Sequence, residues 1–188
     1  EDYVRQAKEL STTLGHALAK LEVEDVESRI QDTAHAIHSA GTIDEILLEL
    51  QQPILQLFDS KLITIYAVDE IRNEIYSKVK SGNQINEIRV PISEASISGC
   101  VAMIKKPANI GDVYNPEEFK SIHPGLKFDS SWDKKTGLRT KSMLVYPLLQ
   151  GEDLMGVMQL VNKNHGDRFS DFDERNAQTI AHTLALAF

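Results

Sequence analysis

The chain has 188 residues, of which 41% are hydrophobic and 26% charged, and its formal net charge is −8. These values are typical of a folded globular protein with one sizeable core, and they argue against disorder. The negative charge disfavours nucleic acid as a partner, because basic surface is what holds a polyphosphate. The sequence contains no apolar run long enough to cross a membrane and no signal peptide, so we expect a cytoplasmic location.

The sequence offers few cysteine or histidine candidates for metal binding or covalent chemistry. Cys100 is the only cysteine, so one chain cannot form an internal disulfide or a cysteine metal cluster, and a buried thiol is expected. His35 and His38 lie three residues apart on a predicted helix and could share a metal, although an exposed pair is the commoner arrangement. The common hydrolase, phosphate-loop and zinc-protease motifs are absent. We therefore predict no metal, no cofactor and no enzymatic activity.

Residues 1–40 are predicted to form a long N-terminal helix that serves as a linker or dimerisation element. Gly15 is the only glycine between Tyr3 and Ser39, and proline is absent there. Two heptad runs follow one another after a five-residue step, which would change the winding of a supercoil. The runs are Leu10, Leu14, Ala17 and Leu21, then Val26, Ile30, Thr33 and Ile37. This seam favours pairing with a second copy, and a single helix folded onto its own domain is the alternative.

A second helix follows Gly41, which ends the first one. Thr42 is its predicted N-cap, with Glu45 completing a capping box. Pro53 lacks the backbone donor that a helix interior needs, so it must kink or restart the helix. The apolar positions have helical spacing and are expected to pack in the core. They are Ile43, Ile46, Leu47, Leu50, Ile54, Leu57 and Phe58.

Alternating or β-branched runs predict the strands. They cover residues 62–68, 74–80, about 88–92, 143–149 and 154–162, with turns at Arg72-Asn73 and at Gly151 to Asp153. Pro91 indicates that pairing of the third strand ends there. Ser96 is predicted to cap a short helix that runs to Ile104.

Two stretches complete the chain. Residues 108–141 lack sustained periodicity and contain several glycines and prolines, so they predict a binding loop or lid with a short helix near 115–120. Ser170 to Asp173 matches a capping box that begins a C-terminal helix. Together these elements predict an α+β protein.

Three local motifs resemble those of the GAF domain, a small-molecule sensor module, and of its cyclic-nucleotide-binding subfamily in particular. The resemblance covers about Thr42 to Phe188. The first motif is Asn162-Lys163, followed by Phe169 and by Asp173-Glu174. The second runs from Asp133 to Ser142 and is similar to the family's Asp-x-x-Thr-Gly-x-x-Thr stretch. The third is Ile97-Ser98-Gly99.

This resemblance implies a six-stranded antiparallel sheet with helices on one face and a lidded ligand pocket on the other, in a GAF-like ligand-binding domain of residues 41–188. It also implies that the phosphate of a cyclic nucleotide meets the amino end of the helix near Ile97, Ser98 and Gly99. Free amide groups and the helix dipole suit an anion there. Thr64, Asp133, Thr136, Thr140 and Gln159 would line the pocket by the same resemblance.

The first motif would form a lock around the pocket, with Phe169 as a core residue. Its members are Asn162, Lys163, Phe169, Asp173 and Glu174. An ion pair between Lys163 and Asp173 could tie a strand end to a helix start without touching the ligand. Thr64 and Gln159 could equally be the polar side of half-exposed strands.

Two departures from the subfamily bear on the ligand. Lys80 and Ser81 stand where cyclic-GMP-binding members carry an aromatic and an acidic residue, and Gln159 replaces a further acidic residue. These differences favour cyclic AMP over cyclic GMP. Some GAF-like proteins reduce free methionine sulfoxide or attach a bilin. The reductase needs more cysteines than Cys100, and the usual bilin Cys-His pair is missing because Val101 follows Cys100.

We therefore predict a regulatory sensor that binds a cyclic nucleotide and forms a homodimer through its terminal helices. Lid closure would be transmitted by those helices to an output domain outside this chain, since both chain ends stand inside predicted helices. The alternative is a structural dimerisation module with no nucleotide, or with another small molecule, in its pocket.

Overall fold

The structure is a computed structural model that describes residues 2–81 and 84–188. Its helices are α1 (Asp2–Ser39), α2 (Ile43–Glu49), α3 (Gln51–Leu55), α4 (Ile97–Ile104), α5 (Pro116–Lys120), α6 (Ser131–Thr136) and α7 (Asp171–Ala187). Its strands are β1 (Ser60–Asp69), β2 (Glu74–Ser81), β3 (Gln84–Pro91), β4 (Ala108–Ile110), β5 (Met143–Gln150) and β6 (Asp153–Lys163).

The strands form one antiparallel sheet of six in the order β3-β2-β1-β6-β5-β4. The last strand, β6, pairs with the first strand, β1, in the centre of the sheet, and β5 lies on the other side of β6. This confirms the predicted α+β class and the six-stranded antiparallel sheet. β3 is an edge strand, and its pairing with β2 ends at Pro91, as predicted.

One face of the sheet is covered by helices α2, α3 and α7 and by the last turns of α1. The predicted apolar face of the second helix contributes Ile46, Leu47, Ile54 and Phe58 to this core, all of them buried. Pro53 restarts the helix as predicted, because α2 ends at Glu49 and α3 follows after one residue.

The opposite face carries a second apolar core beneath α4 and the long segment before β5. Its centre includes Ile75, Ile97, Val101 and Val145, all buried. The segment predicted as a binding loop or lid with one short helix, residues 108–141, begins with β4, which pairs with β5 and forms the far edge of the sheet. Sequence periodicity missed this strand because three residues are too few to establish a pattern. We call residues 111–141 the roof, and the predicted short helix within it is α5.

Helix caps explain where several elements begin. Ser170 and Asp173 form the full predicted capping box at α7. The Thr42 hydroxyl accepts from the amide of Glu45, but the Glu45 carboxylate binds the amide of Gly41 rather than that of Thr42. The predicted capping box at α2 is therefore formed only in part: the Thr42 contact is present, and the Glu45 carboxylate binds the amide one residue earlier than expected.

Helix α1 is only partly covered within one chain. Thr33 and Ile37 are buried, whereas Leu10, Leu14 and Leu21 are 63%, 58% and 61% exposed. The second heptad run thus packs on the domain, and the first presents an apolar stripe to the surroundings. Among the described residues, no helix is long and apolar enough to cross a membrane.

Candidate ligand-binding site

A cavity of about 540 Å³ lies between the second face of the sheet and the roof. This volume falls within the range of roughly 300–1,000 Å³ that is usual for small-molecule sites. Apolar side chains make up most of its wall, with a few polar groups among them. The apolar residues include Leu62, Val79, Ile88, Val90, Phe128, Trp132, Leu138, Met143 and Val161.

Most of the predicted site residues are brought together around this cavity. Those that line it are Thr64, Ile97, Ser98, Asp133, Thr140 and Gln159. The side chain of Thr136 lies outside the described part of the structure. Gly99 is not among the described residues that line the cavity.

The strand register explains why two polar side chains meet on the floor. Thr64 of β1 lies directly opposite Gln159 of β6, so their side chains are neighbours on one face of the sheet. The Ser98 hydroxyl, from the first turn of α4, donates a hydrogen bond to the Gln159 side-chain oxygen. These three residues join the floor to the amino end of the helix.

The amino end of α4 borders the cavity, which Ser96, Ile97 and Ser98 line. The Ser96 hydroxyl caps the helix by accepting from the Gly99 amide at 3.1 Å. The amides of Ile97 and Ser98 belong to the first turn, where an α-helix offers no backbone acceptor. Together with the helix dipole, they make this end suitable for an anionic group.

Gly99 is needed for packing against another part of the backbone. A β-carbon at this position would lie 2.3 Å from the Pro91 carbonyl oxygen and 2.9 Å from that of Ser93. The glycine thus lets the segment after β3 approach α4 closely. A glycine near the start of a helix can admit either another backbone segment or a ligand, and at Gly99 the neighbour is the backbone of Pro91 and Ser93.

The roof contributes a carboxylate that already has several donors. Asp133 accepts hydrogen bonds from the Thr140 hydroxyl at 2.6 Å, the Thr140 amide at 2.8 Å and the Tyr114 hydroxyl at 2.8 Å. Burial opposes ionisation of Asp133, but the bonds from Thr140 and Tyr114 outweigh it and lower its pKa. Arg139 stacks over the Tyr114 ring at 4.9 Å. Asp133 is therefore ionised, and it organises this part of the roof.

Sequence analysis did not single out Tyr66 as a site residue. Tyr66 lines the cavity from β1 and is buried. Burial raises its pKa to about 12, and the Thr64 hydroxyl offsets only part of that effect. The signal for this position was its two-residue spacing from Thr64, which places both side chains on one face of the strand.

Lys80 is not directed at the cavity, contrary to the position that the family pattern gave it. Its ammonium group forms an ion pair with Glu49 of α2, on the helix-covered face of the sheet. Val79, its neighbour, lines the cavity instead. The side chain of Ser81 lies outside the described residues. The described aromatic residues that line the cavity are Tyr66 of β1 and, from the roof, Phe128 and Trp132.

None of the five predicted lock residues is among the described residues that line the cavity. Lys163 forms an ion pair with Asp173 at 2.8 Å, and the two side chains are only 12% and 7% exposed. Asp173 also accepts from the amide and hydroxyl of Ser170. The end of β6 is thereby bound to the start of α7. The lysine lies over the ring of the buried Phe169, at 5.6 Å from its centre.

Asn162 connects the roof to the same strand end. Its side chain accepts from the Lys141 amide at 2.6 Å and donates to the Arg139 carbonyl at 2.9 Å. Asn162 adopts a positive φ of 61°, a conformation that asparagine tolerates better than most residues. Lys141 additionally pairs with Asp167 in the loop before α7.

The other end of the roof is bound to that loop as well. Glu118 of α5 accepts from the amides of Gly111 and Asp112, at 2.8 and 3.2 Å, and pairs with Arg168. Arg168 also donates to the Asn109 carbonyl at 2.7 Å. The Asn109 side chain in turn donates to the Phe169 carbonyl and to the Glu174 carboxylate.

The described residues form no cluster that would suit redox chemistry or metal binding. Cys100 is buried in the second core, and burial raises the pKa of its thiol. No three His, Cys, Asp or Glu side chains in the described part of the chain could hold a metal together. His35 and His38 are both exposed on α1.

A sequence model of the GAF domain matches residues 42–188. The chain belongs to the GAF domain family. This confirms the resemblance to the GAF domain, and the six-stranded antiparallel sheet with helices is the fold that it implied. The GAF domain here has the sheet order, helical layer and roofed cavity described above.

Curated relatives of this GAF chain include large cyclic nucleotide phosphodiesterases. The probable 3′,5′-cyclic phosphodiesterase pde-5 of Caenorhabditis elegans is 29% identical over 83% of this chain and 22% of that protein. The cone cGMP-specific 3′,5′-cyclic phosphodiesterase subunit alpha′ of Gallus gallus is 37% identical over 78% of this chain and 17% of its own. The dual 3′,5′-cyclic-AMP and -GMP phosphodiesterase 11 of Drosophila melanogaster is 36% identical over 53% of this chain and 6% of its own. The chain therefore spans less than a quarter of each of these relatives.

Solved structures with the same fold come from several functional classes. The GAF domain of a phosphoenolpyruvate-protein phosphotransferase from Coxiella burnetii has a TM-score of 0.66 at 16% identity, over 86% of this chain and 91% of that one. The free methionine-R-sulfoxide reductase from Neisseria meningitidis also has a TM-score of 0.66 at 16% identity, over 87% of each chain. At this identity the likeness concerns the fold alone.

The Lys163–Asp173 pair generates a stability prediction. Asp173→Ala leaves a nearly buried ammonium group without its partner, so we expect the free energy of unfolding to fall by about 3–5 kcal/mol. Asp171→Ala is the matched control, because Asp171 is an exposed acid in the same helical turn. It should cost no more than about 1 kcal/mol, the usual size of a dipole effect. Urea denaturation measures both changes, and equal losses in the two variants would contradict a dominant role for the pair.

Proposed function

We propose that this GAF domain is a regulatory sensor that binds a cyclic nucleotide in the cavity beneath the roof. The observation that carries the proposal is the meeting of the α4 amino end with the polar groups of Thr64 and Gln159 inside a cavity of about 540 Å³. The relatives named as cyclic nucleotide phosphodiesterases support the choice of ligand class.

The cavity offers different chemistry to the different parts of such a ligand. The amides of Ile97 and Ser98 would bind the cyclic phosphate, because an anion is favoured at a helix amino end. Thr64 and Gln159 supply hydroxyl and amide groups, which can each donate and accept toward a base edge or a ribose. Phe128 and Trp132 of the roof line the cavity and would stack on the base.

Within this class we propose that cyclic AMP is preferred to cyclic GMP. Guanine presents adjacent N–H groups that a carboxylate satisfies best, and the floor has the amide of Gln159 at its centre. The carboxylates that line the cavity, those of Asp129 and Asp133, already accept hydrogen bonds within the roof. The position of Lys80 has no part in this preference, since its ion pair lies on the other face of the sheet.

Binding would act on the terminal helices through the roof. Asn162 at the end of β6 and Arg168 in the loop that follows connect the two ends of the roof to the chain that leads into α7, and α7 packs beside α1. A ligand that binds the closed roof more tightly than the open roof shifts the equilibrium by that difference in affinity. The terminal helices would then pass the change to further domains of a longer protein.

Calorimetric titration with cyclic AMP and cyclic GMP tests this proposal. We expect wild-type protein to bind both ligands, with the lower dissociation constant for cyclic AMP. Gln159→Leu should raise the dissociation constant for cyclic AMP roughly tenfold, because one hydrogen bond to a buried group is lost. The matched control is Gln150→Leu, an exposed glutamine at the far end of β5.

The control variant should bind like the wild type. Absence of heat and of thermal stabilisation for both nucleotides would overturn the proposal, since a ligand that binds only the folded state must raise the melting temperature.

A second candidate is a structural dimerisation module, for which the exposed stripe of α1 is the specific observation. Leu10, Leu14 and Leu21 lie at heptad positions and are all more than half exposed. Pairing with a second copy would bury this stripe, and each leucine withdrawn from water contributes about 1.5–3 kcal/mol. The module could dimerise with or without a ligand in its cavity.

Sedimentation of the wild type and of two α1 variants tests the homodimer. Leu14→Glu places a charge in the seam and should raise the dimer dissociation constant at least tenfold, a change of about 1.4 kcal/mol or more. Thr12→Glu adds the same charge at an outward heptad position and serves as the control. A wild type that sediments as a monomer at all concentrations would exclude pairing through α1.

A further inference from the structure

The floor of the cavity carries one polar side chain more than the proposed binding scheme uses. Tyr66 follows Thr64 by two residues on β1, so both side chains project from the cavity face of the sheet. Tyr66 lines the cavity and is only 6% exposed, since it packs in the second core together with Ile97. The side chain thus borders the cavity while most of its surface is withdrawn from water.

Four polar side chains form a row across this otherwise apolar floor. The Ser98 hydroxyl bonds to Gln159, Gln159 lies opposite Thr64, and Thr64 lies two residues before Tyr66 on the same face of β1. The surrounding floor residues are Leu62, Val79, Ile88, Val90, Met143 and Val161. Burying a hydroxyl among such residues is unfavourable unless it has partners, so a row of this kind is expected to meet polar atoms of a ligand.

The chemistry of the Tyr66–Thr64 pair is restricted by burial. Burial raises the pKa of Tyr66 to about 12, so the phenol keeps its proton at neutral pH. A protonated phenol can donate one hydrogen bond and accept another, and a threonine hydroxyl can do the same. The two hydroxyls can therefore offer the cavity both a donor and an acceptor.

We infer that Tyr66 is a specificity residue that donates a hydrogen bond to an uncharged acceptor of the nucleoside part of the ligand, a ring nitrogen or a ribose oxygen, with Thr64 as its partner. The phosphate is assigned to the amides of Ile97 and Ser98 at the helix end, which leaves the nucleoside over the sheet. This inference rests on the proposed cyclic nucleotide function and adds one contact to it.

Calorimetric titration of Tyr66→Phe with cyclic AMP tests the inference. The substitution removes the hydroxyl and keeps the ring, so we expect the dissociation constant to rise roughly tenfold while the melting temperature of the unliganded protein changes little. Tyr146→Phe is the matched control, because Tyr146 is a half-buried tyrosine that packs against the helix-covered core on the other face of the sheet. It should bind as the wild type does.

A double-mutant cycle with Thr64→Val separates a ligand contact from a structural role. If the two hydroxyls act as a pair, the double variant Tyr66→Phe/Thr64→Val should bind cyclic AMP more tightly than the sum of the two single effects predicts. Wild-type binding with an unchanged dissociation constant in Tyr66→Phe would overturn this inference and leave the proposed function standing. No nucleotide binding by the wild type would overturn both.

Discussion

The antiparallel pairing of β1 with β6 is the constraint on which the rest of the structure depends. It places the first and last strands at the centre of the sheet, and its register sets Thr64 opposite Gln159. On the helix-covered side, the same strands present Ile63, Ile65 and Leu160 to a filled core. On the other side, a cavity of about 540 Å³ remains above the polar pair. A shift by one residue would exchange the two faces, placing the polar pair in the apolar core and removing the floor of the site.

The roof is held at both of its ends by polar contacts to one short stretch of chain. Arg139 and Lys141 are bound to Asn162, and Glu118 is bound to Arg168. That stretch leads directly into α7 through the buried Lys163–Asp173 pair. The middle of the roof carries Trp132 and Asp133, which line the cavity, and Asp133 accepts hydrogen bonds from Tyr114 and Thr140 within the roof. A ligand that draws the middle of the roof inward would therefore act on two fixed ends that share one connection to the terminal helices.

Much of the fold could be predicted from the sequence, because helical and alternating patterns are long in this chain. The Ser170 capping box, the restart at Pro53 and the end of pairing at Pro91 each follow from local chemistry that tertiary packing did not override. β4 was missed because a strand of three residues is too short to show a period.

The residues of the candidate site could be predicted from the sequence, but their geometry could not. The family pattern names Lys80 as a site position, yet only the folded sheet reveals that its side chain pairs with Glu49 on the opposite face. Tyr66 was overlooked for a similar reason, since an aromatic residue in a strand is ordinarily a core residue.

Amide hydrogen exchange with and without cyclic AMP tests most directly whether the cavity is a ligand site closed by the roof. Backbone amides exchange slowly where closure protects them, so the measurement reports on the roof, α4 and the terminal helices in one experiment. We expect added cyclic AMP to slow exchange in the middle of the roof, residues 121–138, and in the first turn of α4, with a smaller effect at the start of α7. Unchanged exchange in the roof and α4 at a nucleotide concentration that saturates binding would contradict the assignment of the ligand to this cavity.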